Sequence, residues 1–200
     1  FEAVAAIPRV RVYDSAAWGR HHMLCAHHGA LTLVDSRTMQ AVPFAAPPDT
    51  RAIYVADVDA QGVLWVATID QVYRRDPATG RWVLHVTLRV GDGEISALHH
   101  DAWGVLWVGT GDGLWMFSGA GAAPQRLVRE QYTGVGKITD LFAHAGTLYI
   151  GGEGGLALLS QFNPLVMRSY WAPPRPQRRA RSQVRSVRGM LLDRRGNVWL

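Results

Sequence analysis

The sequence predicts an all-β fold, a β-propeller of four-stranded antiparallel blades, and three observations lead to this prediction. First, the segment 59–68 returns as segment 101–110, and the interval of 42 residues from Trp65 to Trp107 recurs from Trp107 to Tyr149. A constant interval of this size indicates one supersecondary unit used several times. Second, short apolar segments separated by glycines indicate strands and turns. Third, the last strand of a unit is the most polar, as expected where an outer strand meets solvent.

The repeat spanning residues 95–132 illustrates the elements of one blade. The segment 95–100 is a first strand, and Asp101 and Gly104 open and close a tight turn, where a carboxylate caps backbone N–H groups and glycine accepts a positive φ. The apolar segments 105–108 and 114–117 are predicted inner strands, covered on both faces. The polar segment 125–132 is the predicted outer strand.

The chain divides by this period into a partial propeller over residues 1–200, of about four and a half blades. The blades are predicted at about 10–50, 51–92, 93–134 and 135–183, and a fifth begins at 184–200. Because the last copy stops within a strand, we expect the natural protein to continue with further blades, or a second subunit to pair with this end.

The positions that define the repeat are turn residues and the aromatic residue of the second strand. The aromatic residues are expected to pack in the blade core. These structural positions are Asp59, Gly62, Trp65, Asp101, Gly104, Trp107, Gly113, Gly146, Tyr149, Gly155, Asp193, Gly196 and Trp199.

An apolar pair, then D-x-x-G-x-L-W-V-G-T and, after a spacer, G-L, resembles the two-component regulator propeller repeat. The match is nearly complete over 95–114, keeps the frame with His144 and Tyr149 as departures over 138–156, and covers 187–200 until the chain stops. This resemblance implies the ligand-sensing part of a bacterial transmembrane signalling protein, a sensor histidine kinase or diguanylate cyclase. It also implies a location on the periplasmic side of the inner membrane, and no catalysis by this segment.

Composition restricts the class of protein further. Hydrophobic residues make up 48% and charged residues 18% of the 200 residues, which is typical of a globular chain. No apolar segment approaches the roughly 20 residues that a membrane helix needs, so a membrane link is expected only through a segment outside this chain. The single cysteine, Cys25, cannot form an internal disulfide.

Two departures from the repeat are candidate ligand-binding positions. Trp103 replaces a turn residue and is expected to be exposed, where an aromatic ring suits a sugar or peptide. The Pro-rich connection 171–185 carries arginines that suit carboxylate, phosphate or sugar-acid recognition, namely Arg175, Arg178, Arg179, Arg181 and Arg185. The expected ligand is a small molecule or saccharide. Nucleic acid is not expected, because no aromatic residues interleave with the arginines.

No catalytic, metal or cofactor motif is recognisable. The pairs His21-His22, His27-His28 and His99-His100 place one ring on each face of a strand, without carboxylates or thiols at ligand spacing, so no metal site is predicted. Two alternatives to a sensor stay open. One is a propeller enzyme, a lyase or hydrolase, using residues such as His99, His100, Asp101 or Asp140. The other is a protein-interaction scaffold, for which the arginine-rich connection would be the contact.

Overall fold

A computed structural model describes most of the chain. The described residues are 11–48, 50, 52–89, 93–118, 125–129, 135–160, 167–169, 187–193 and 195–200. The described residues form strands and turns, and none of them forms a helix long and apolar enough to cross a membrane.

The predicted fold class is confirmed, because sixteen of the strands form four separate four-stranded sheets, each an antiparallel meander in chain order. We call these sheets blades one to four. Blade one contains β1 (Val12–Trp18), β2 (His22–His27), β3 (Ala30–Asp35) and β4 (Gln40–Phe44). Blade two contains β5 (Val55–Val58), β6 (Leu64–Ala67), β7 (Gln71–Arg75) and β8 (Trp82–Thr87). Blade three contains β9 (Ile95–His100), β10 (Leu106–Thr110), β11 (Gly113–Phe117) and β12 (Gln125–Arg129). Blade four contains β13 (Ile138–His144), β14 (Thr147–Gly152), β15 (Gly155–Ser160) and β16 (Met167–Ser169), and β17 (Leu191–Leu192) pairs with β18 (Val198–Trp199).

The chain forms two compact units, one of residues 1–90 and 100–105, the other of residues 91–99 and 106–200. In the first unit, the faces of blades one and two pack against each other. Nine buried side chains form this core: Ala16, Leu24, Ala26, Leu31, Ile53, Ala56, Leu64, Val66 and Tyr73. Burying both faces of the inner strands explains why their sequences do not alternate between apolar and polar residues.

In the second unit, a glycine lies two residues after the aromatic residue of the second strand. It lets the segment that opens the next copy of the repeat approach closely. A Cβ on Gly109 would overlap the side chain of Ile138, and a Cβ on Gly151 would overlap that of Val187. The glycine of W-V-G-T is therefore a packing requirement, because the aliphatic residue that opens the next copy occupies the space of a side chain.

The aspartate of the predicted D-x-x-G turn organises both the turn and the tryptophan six residues later. Asp59 Oδ1 accepts hydrogen bonds from the backbone N–H groups of Gln61 and Val63, and Asp59 Oδ2 accepts one from Trp65 Nε1 at 3.0 Å. The same bonds recur around Asp193, including the one from Trp199 Nε1 at 3.1 Å. The Asp and Trp of the repeat are thus linked directly by a hydrogen bond.

Blade four replaces this turn by a two-residue hairpin. Ala145 and Gly146 connect β13 to β14, and both have positive φ angles, 48° and 75°. Two consecutive positive φ angles are the signature of the type I′ turn, whose twist matches that of a hairpin. The shorter turn explains why this copy has one residue fewer than the others.

In each of the four blades, a side chain of the first strand accepts a hydrogen bond from a backbone N–H group 42 to 50 residues later. In the first unit, Asp14 accepts from Ala56 N at 3.0 Å, and Asp57 accepts from His100 N at 2.7 Å. In the second unit, His99 Nε2 accepts from Ala143 N, and Asp140 accepts from Met190 N. We call these four contacts the first-strand ladder: the residue pairs are Asp14–Ala56, Asp57–His100, His99–Ala143 and Asp140–Met190.

The prediction that the repeat tryptophans are core residues holds for Trp65 and Trp107, which are 4% and 3% exposed. It is wrong for Trp199, which is 60% exposed although it keeps its bond to Asp193. Among the described residues, β17 and β18 form a two-stranded sheet, so no further strands cover this ring.

Candidate ligand-binding site

A groove of about 330 Å³ opens at the end of blade two where β6 turns into β7. The turn 68–70 forms one wall, and the segment that enters β5 forms the other. The lining residues are Thr50, Ala52, Tyr54, Thr68, Ile69, Asp70 and Gln71. This volume lies at the lower end of the range typical of sites for small ligands.

The turn that forms the first wall is rigidly bonded. Thr68 Oγ1 accepts a hydrogen bond from Gln71 N at 3.0 Å, and Thr68 N donates to the Gln71 carbonyl at 2.8 Å. The Tyr73 hydroxyl donates to Gln71 Oε1 at 2.7 Å, which fixes the amide so that its nitrogen remains the free end. The groove therefore presents a set of polar groups that need little ordering when a ligand arrives.

Several polar atoms of the groove have no hydrogen-bond partner among the described residues. They are the second carboxylate oxygen of Asp70, the amide nitrogen of Gln71 and the hydroxyl of Tyr54. One anionic acceptor, one amide donor, one phenol and the apolar edge of Ile69, which is 44% exposed, suit a small polar ligand with hydroxyl or amine groups.

The second wall is coupled directly to blade one. The ring of Tyr54 packs against that of Tyr13, with centroids 5.0 Å apart, and the guanidinium of Arg11 lies 5.5 Å from the Tyr13 ring. Next to this ring pair, Asp14 and Ala56 form the first contact of the first-strand ladder. A ligand that moves Tyr54 would therefore act on the junction between blades one and two.

The ladder carboxylates of the first unit lie in an environment that opposes charge. Burial raises the pKa of Asp57 to about 7; hydrogen bonds from His100 N and Val58 N oppose this, and the charges of Asp14 and Asp59 add to it. Burial also raises the pKa of Asp14, against the hydrogen bonds that it accepts from Ala56 N and Ser15 N. The surroundings of Asp57 therefore favour the neutral carboxyl over the carboxylate more than solvent does.

Two histidines enclose the repeat tryptophan of blade two. His100 stacks on Trp65 with centroids 5.1 Å apart, and His85 meets the same ring edge-on at 4.9 Å. Burial lowers the pKa of His85, and the charges of Arg74 and His100 lower it further. Among the described residues, no group of three or more His, Cys, Asp or Glu side chains could hold a metal ion. His85 and His100 therefore have a structural role, because both rings pack against the buried Trp65.

Of the predicted ligand-binding residues, only Trp103 lies among the described residues. Trp103 is 56% exposed, as expected, and its backbone N–H bonds to Asp101, but it does not line this groove. Arg175, Arg178, Arg179, Arg181 and Arg185 lie outside the described residues, so their proposed role stays a prediction.

The groove residues were missed by the sequence reasoning, although a signal was present. Other copies of the repeat place Gly113-Leu114 or Gly155-Leu156 after the second strand, whereas blade two has Asp70-Gln71-Val72 there, with Gln71 in the position of the glycine. A departure from the repeat at one turn marks a position freed from its structural role. The partner wall, Tyr54, carries no comparable signal in the sequence.

Comparison with solved structures supports the fold. The chain is similar to the extracellular domain of BT4673 from B. thetaiotaomicron, described as a hybrid two-component system, with a TM-score of 0.71 and 15% identity over 96% of this chain. It is similar to the extracellular domain of BT3049, a second such system from the same organism, with a TM-score of 0.66, 16% identity and 96% coverage. It is also similar to a streptogramin B lyase, with a TM-score of 0.72 and 14% identity over 97% of this chain.

These similarities concern part of each neighbour. The chain spans about a quarter of the two extracellular domains, 26% and 27%, and 63% of the lyase. No family model and no curated protein matches the chain. The class that the fold defines is the β-propeller, and solved structures with similar folds include both extracellular domains of signalling systems and an enzyme.

Proposed function

We propose that this chain is an extracytoplasmic ligand-sensing propeller segment of a bacterial transmembrane signalling protein. The observation that carries the proposal is the double role of Tyr54, which lines a small polar groove and packs on Tyr13 of the neighbouring blade. The fold similarity to extracellular domains of hybrid two-component systems over 96% of the chain supports the same reading. The repeat resemblance described above agrees with it.

The proposed mechanism is a change in the blade-one to blade-two junction. A ligand that bonds to Asp70 and Gln71 and contacts Tyr54 would favour one arrangement of the Tyr13–Tyr54 pair and the Asp14–Ala56 bond beside it. A ligand shifts an equilibrium only by the difference in its affinity for the two states. Such a shift would reach an inner output module through parts of the protein outside this chain.

The ligand part of the proposal is tested by thermal unfolding with a panel of neutral mono- and disaccharides and free amino acids. A compound that binds only the folded state raises the free energy of unfolding by RT ln(1 + [L]/Kd), and the unfolding temperature rises with it. We expect a hit to act on the wild type and on a Gln61→Ala control at the opposite end of blade two. The effect should be lost in Asp70→Asn and Tyr54→Ala. A hit that acts equally on all four proteins would contradict the assignment of the groove.

A propeller enzyme is the second candidate, and Asp57 is the observation that favours it. A carboxyl group with a pKa near 7 is suited to general acid–base chemistry. However, its carboxylate already accepts backbone hydrogen bonds from His100 and Val58, which gives Asp57 a structural role. An activity that survives Asp57→Asn with unchanged kcat would remove this candidate.

A further inference from the structure

A second groove lies at the opposite end of blade two, and a single arginine dominates it. Its volume is about 290 Å³, and it is formed by the end of β1, the turn from β5 to β6 and the turn from β7 to β8. The lining residues are Trp18, Gly62, Val63, Leu64, Arg75, Asp76, Pro77 and Gly80. Trp18 is fixed by a hydrogen bond from its Nε1 to the Gly62 carbonyl at 3.1 Å.

The guanidinium of Arg75 is held in place before any ligand arrives. It lies over the Phe44 ring, 4.3 Å from the centroid, and its Nε donates to the Gly80 carbonyl at 3.1 Å. Gly80 has a φ of +66°, in the left-handed region that favours glycine, so glycine suits the turn that presents this carbonyl to Arg75. Stacking on one face and a bond at Nε fix the plane of the guanidinium and leave its outer edge available.

No carboxylate among the described residues forms a salt bridge with Arg75. One of its five N–H donors is used by Gly80, and four remain. The adjacent Asp76 is engaged in its own turn, because Asp76 Oδ1 accepts from Ala78 N and Asp76 Oδ2 accepts from the Thr79 hydroxyl. The unused N–H groups of Arg75 are therefore available to an anionic group in the groove.

We propose that this groove binds a small carboxylate-bearing ligand with a flat apolar body. The planar fork of Arg75 matches a carboxylate in a bidentate arrangement, and a planar carboxylate uses two of the free N–H groups at once. The indole of Trp18 and the ring of Pro77 provide flat walls for an aromatic or similar body. The excess of 21 basic over 16 acidic residues in the chain favours an anion. This site is separate from the Tyr54 groove and does not depend on the sensing role.

The test uses phenylacetate, the neutral isostere phenylacetamide, and the indole N–H resonance of Trp18, assigned with Trp18→Phe. We expect phenylacetate to shift this resonance with a Kd of order 1 mM, as suits a ligand of ten heavy atoms. Phenylacetamide should bind at least tenfold more weakly. Arg75→Gln should weaken phenylacetate binding about tenfold and leave phenylacetamide unchanged.

The matched control is Arg81→Gln, because Arg81 is exposed at the end of the same turn and does not line the groove. This variant makes the same change in net charge and should leave binding unchanged. Arg75→Lys keeps the charge and loses the fork, so an intermediate affinity is expected, and it replaces Arg75→Gln if that variant unfolds. Equal binding of phenylacetate and phenylacetamide, or equal weakening by the changes at Arg75 and Arg81, would overturn the proposal.

Discussion

Asp14 and Ala56 are 42 residues apart, one repeat period, and the carboxylate of Asp14 accepts a hydrogen bond from the backbone N–H of Ala56 at 3.0 Å. The period seen in the sequence is therefore also the distance along the chain between two bonded strands. The other ladder contacts span 43, 44 and 50 residues, and the longest span includes the arginine-rich connection. The first contact of the ladder lies beside Tyr54, the residue that lines the groove.

Replacing Asp57 by Asn should change how stability depends on pH. The folded-state pKa of about 7 lies above the ordinary value of 3.8, so the folded protein binds more protons than the unfolded chain between these two values. The free energy of unfolding of the wild type should therefore fall as pH rises from about 4 to 7, by an amount of order 1 kcal/mol or more. Asn stays neutral and keeps an oxygen for His100 N, so the variant should lack this fall and be the more stable protein at pH 8.

Urea denaturation at pH 5, 6, 7 and 8 measures this effect. Asp76→Asn is the control, because the hydrogen bond from Ala78 N lowers the pKa of the Asp76 carboxyl, so it stays ionised throughout this range. Parallel pH profiles for the wild type and Asp57→Asn would contradict the assigned pKa shift.

Replacing Gly109 by Ala should destabilise the protein by about 1–3 kcal/mol, because the new methyl group would overlap Ile138 in a packed core. Gly111→Ala is the matched control, two residues away, with nothing within 4 Å of its new Cβ. It should change stability by no more than about 0.5 kcal/mol. Chemical denaturation of both variants decides the point, and equal stabilities would show that Gly109 is not a packing position.

Removing the Asp59 carboxylate should leave the buried Trp65 indole N–H and two backbone N–H groups without their acceptor. Asp59→Ala is therefore expected to destabilise the protein by about 2–4 kcal/mol, since each unsatisfied buried group costs about 1–3 kcal/mol. Asp193→Ala removes the same set of bonds from an exposed turn, so its effect should be much smaller. Similar losses for the two variants would indicate that burial does not set the strength of this unit.

Replacing Ala145 by Asn should stabilise the hairpin between β13 and β14. Ala145 has a φ of 48°, a left-handed conformation that costs an ordinary residue about 1–2 kcal/mol and that Asn tolerates better. An Asn-Gly pair is also the preferred sequence of a type I′ turn. An increase of about 0.5–1 kcal/mol in the free energy of unfolding is expected. Ala78→Asn, in the exposed turn between β7 and β8, is the control, and an equal gain there would contradict a hairpin-specific effect.

The sequence predicted the features that depend on neighbours along the chain. The repeat period, the strand order within a blade and the turn at Asp101 are local, and each follows from composition and spacing. The link between Asp59 and Trp65 could have been inferred, because both recur at a fixed distance of six residues. Asp59, the turn that it caps and Trp65 all belong to one copy of the repeat.

Features that depend on contact between repeats could not be read from the sequence in the same way. The Tyr13–Tyr54 pair joins two blades, and neither residue belongs to the repeat pattern. The groove at Arg75 combines the end of β1 with turns about 45 and 60 residues later, so only the fold brings Trp18 and Arg75 together. The exposure of Trp199 differs from that of Trp65 because the sheet around it has two strands.

Thiol labelling in intact cells tests the central claim, an extracytoplasmic sensing segment, most directly. Cys25 is 3% exposed and should not react, whereas Gln61 lies in an exposed turn, so Gln61→Cys introduces one accessible thiol. A small, charged, membrane-impermeant methanethiosulfonate reagent would be applied to cells that produce the full-length protein with this change. Labelling of intact cells equal to that of lysed cells is the predicted result. Labelling only after lysis would place the segment on the cytoplasmic side of the membrane and contradict the extracytoplasmic sensing role proposed for it.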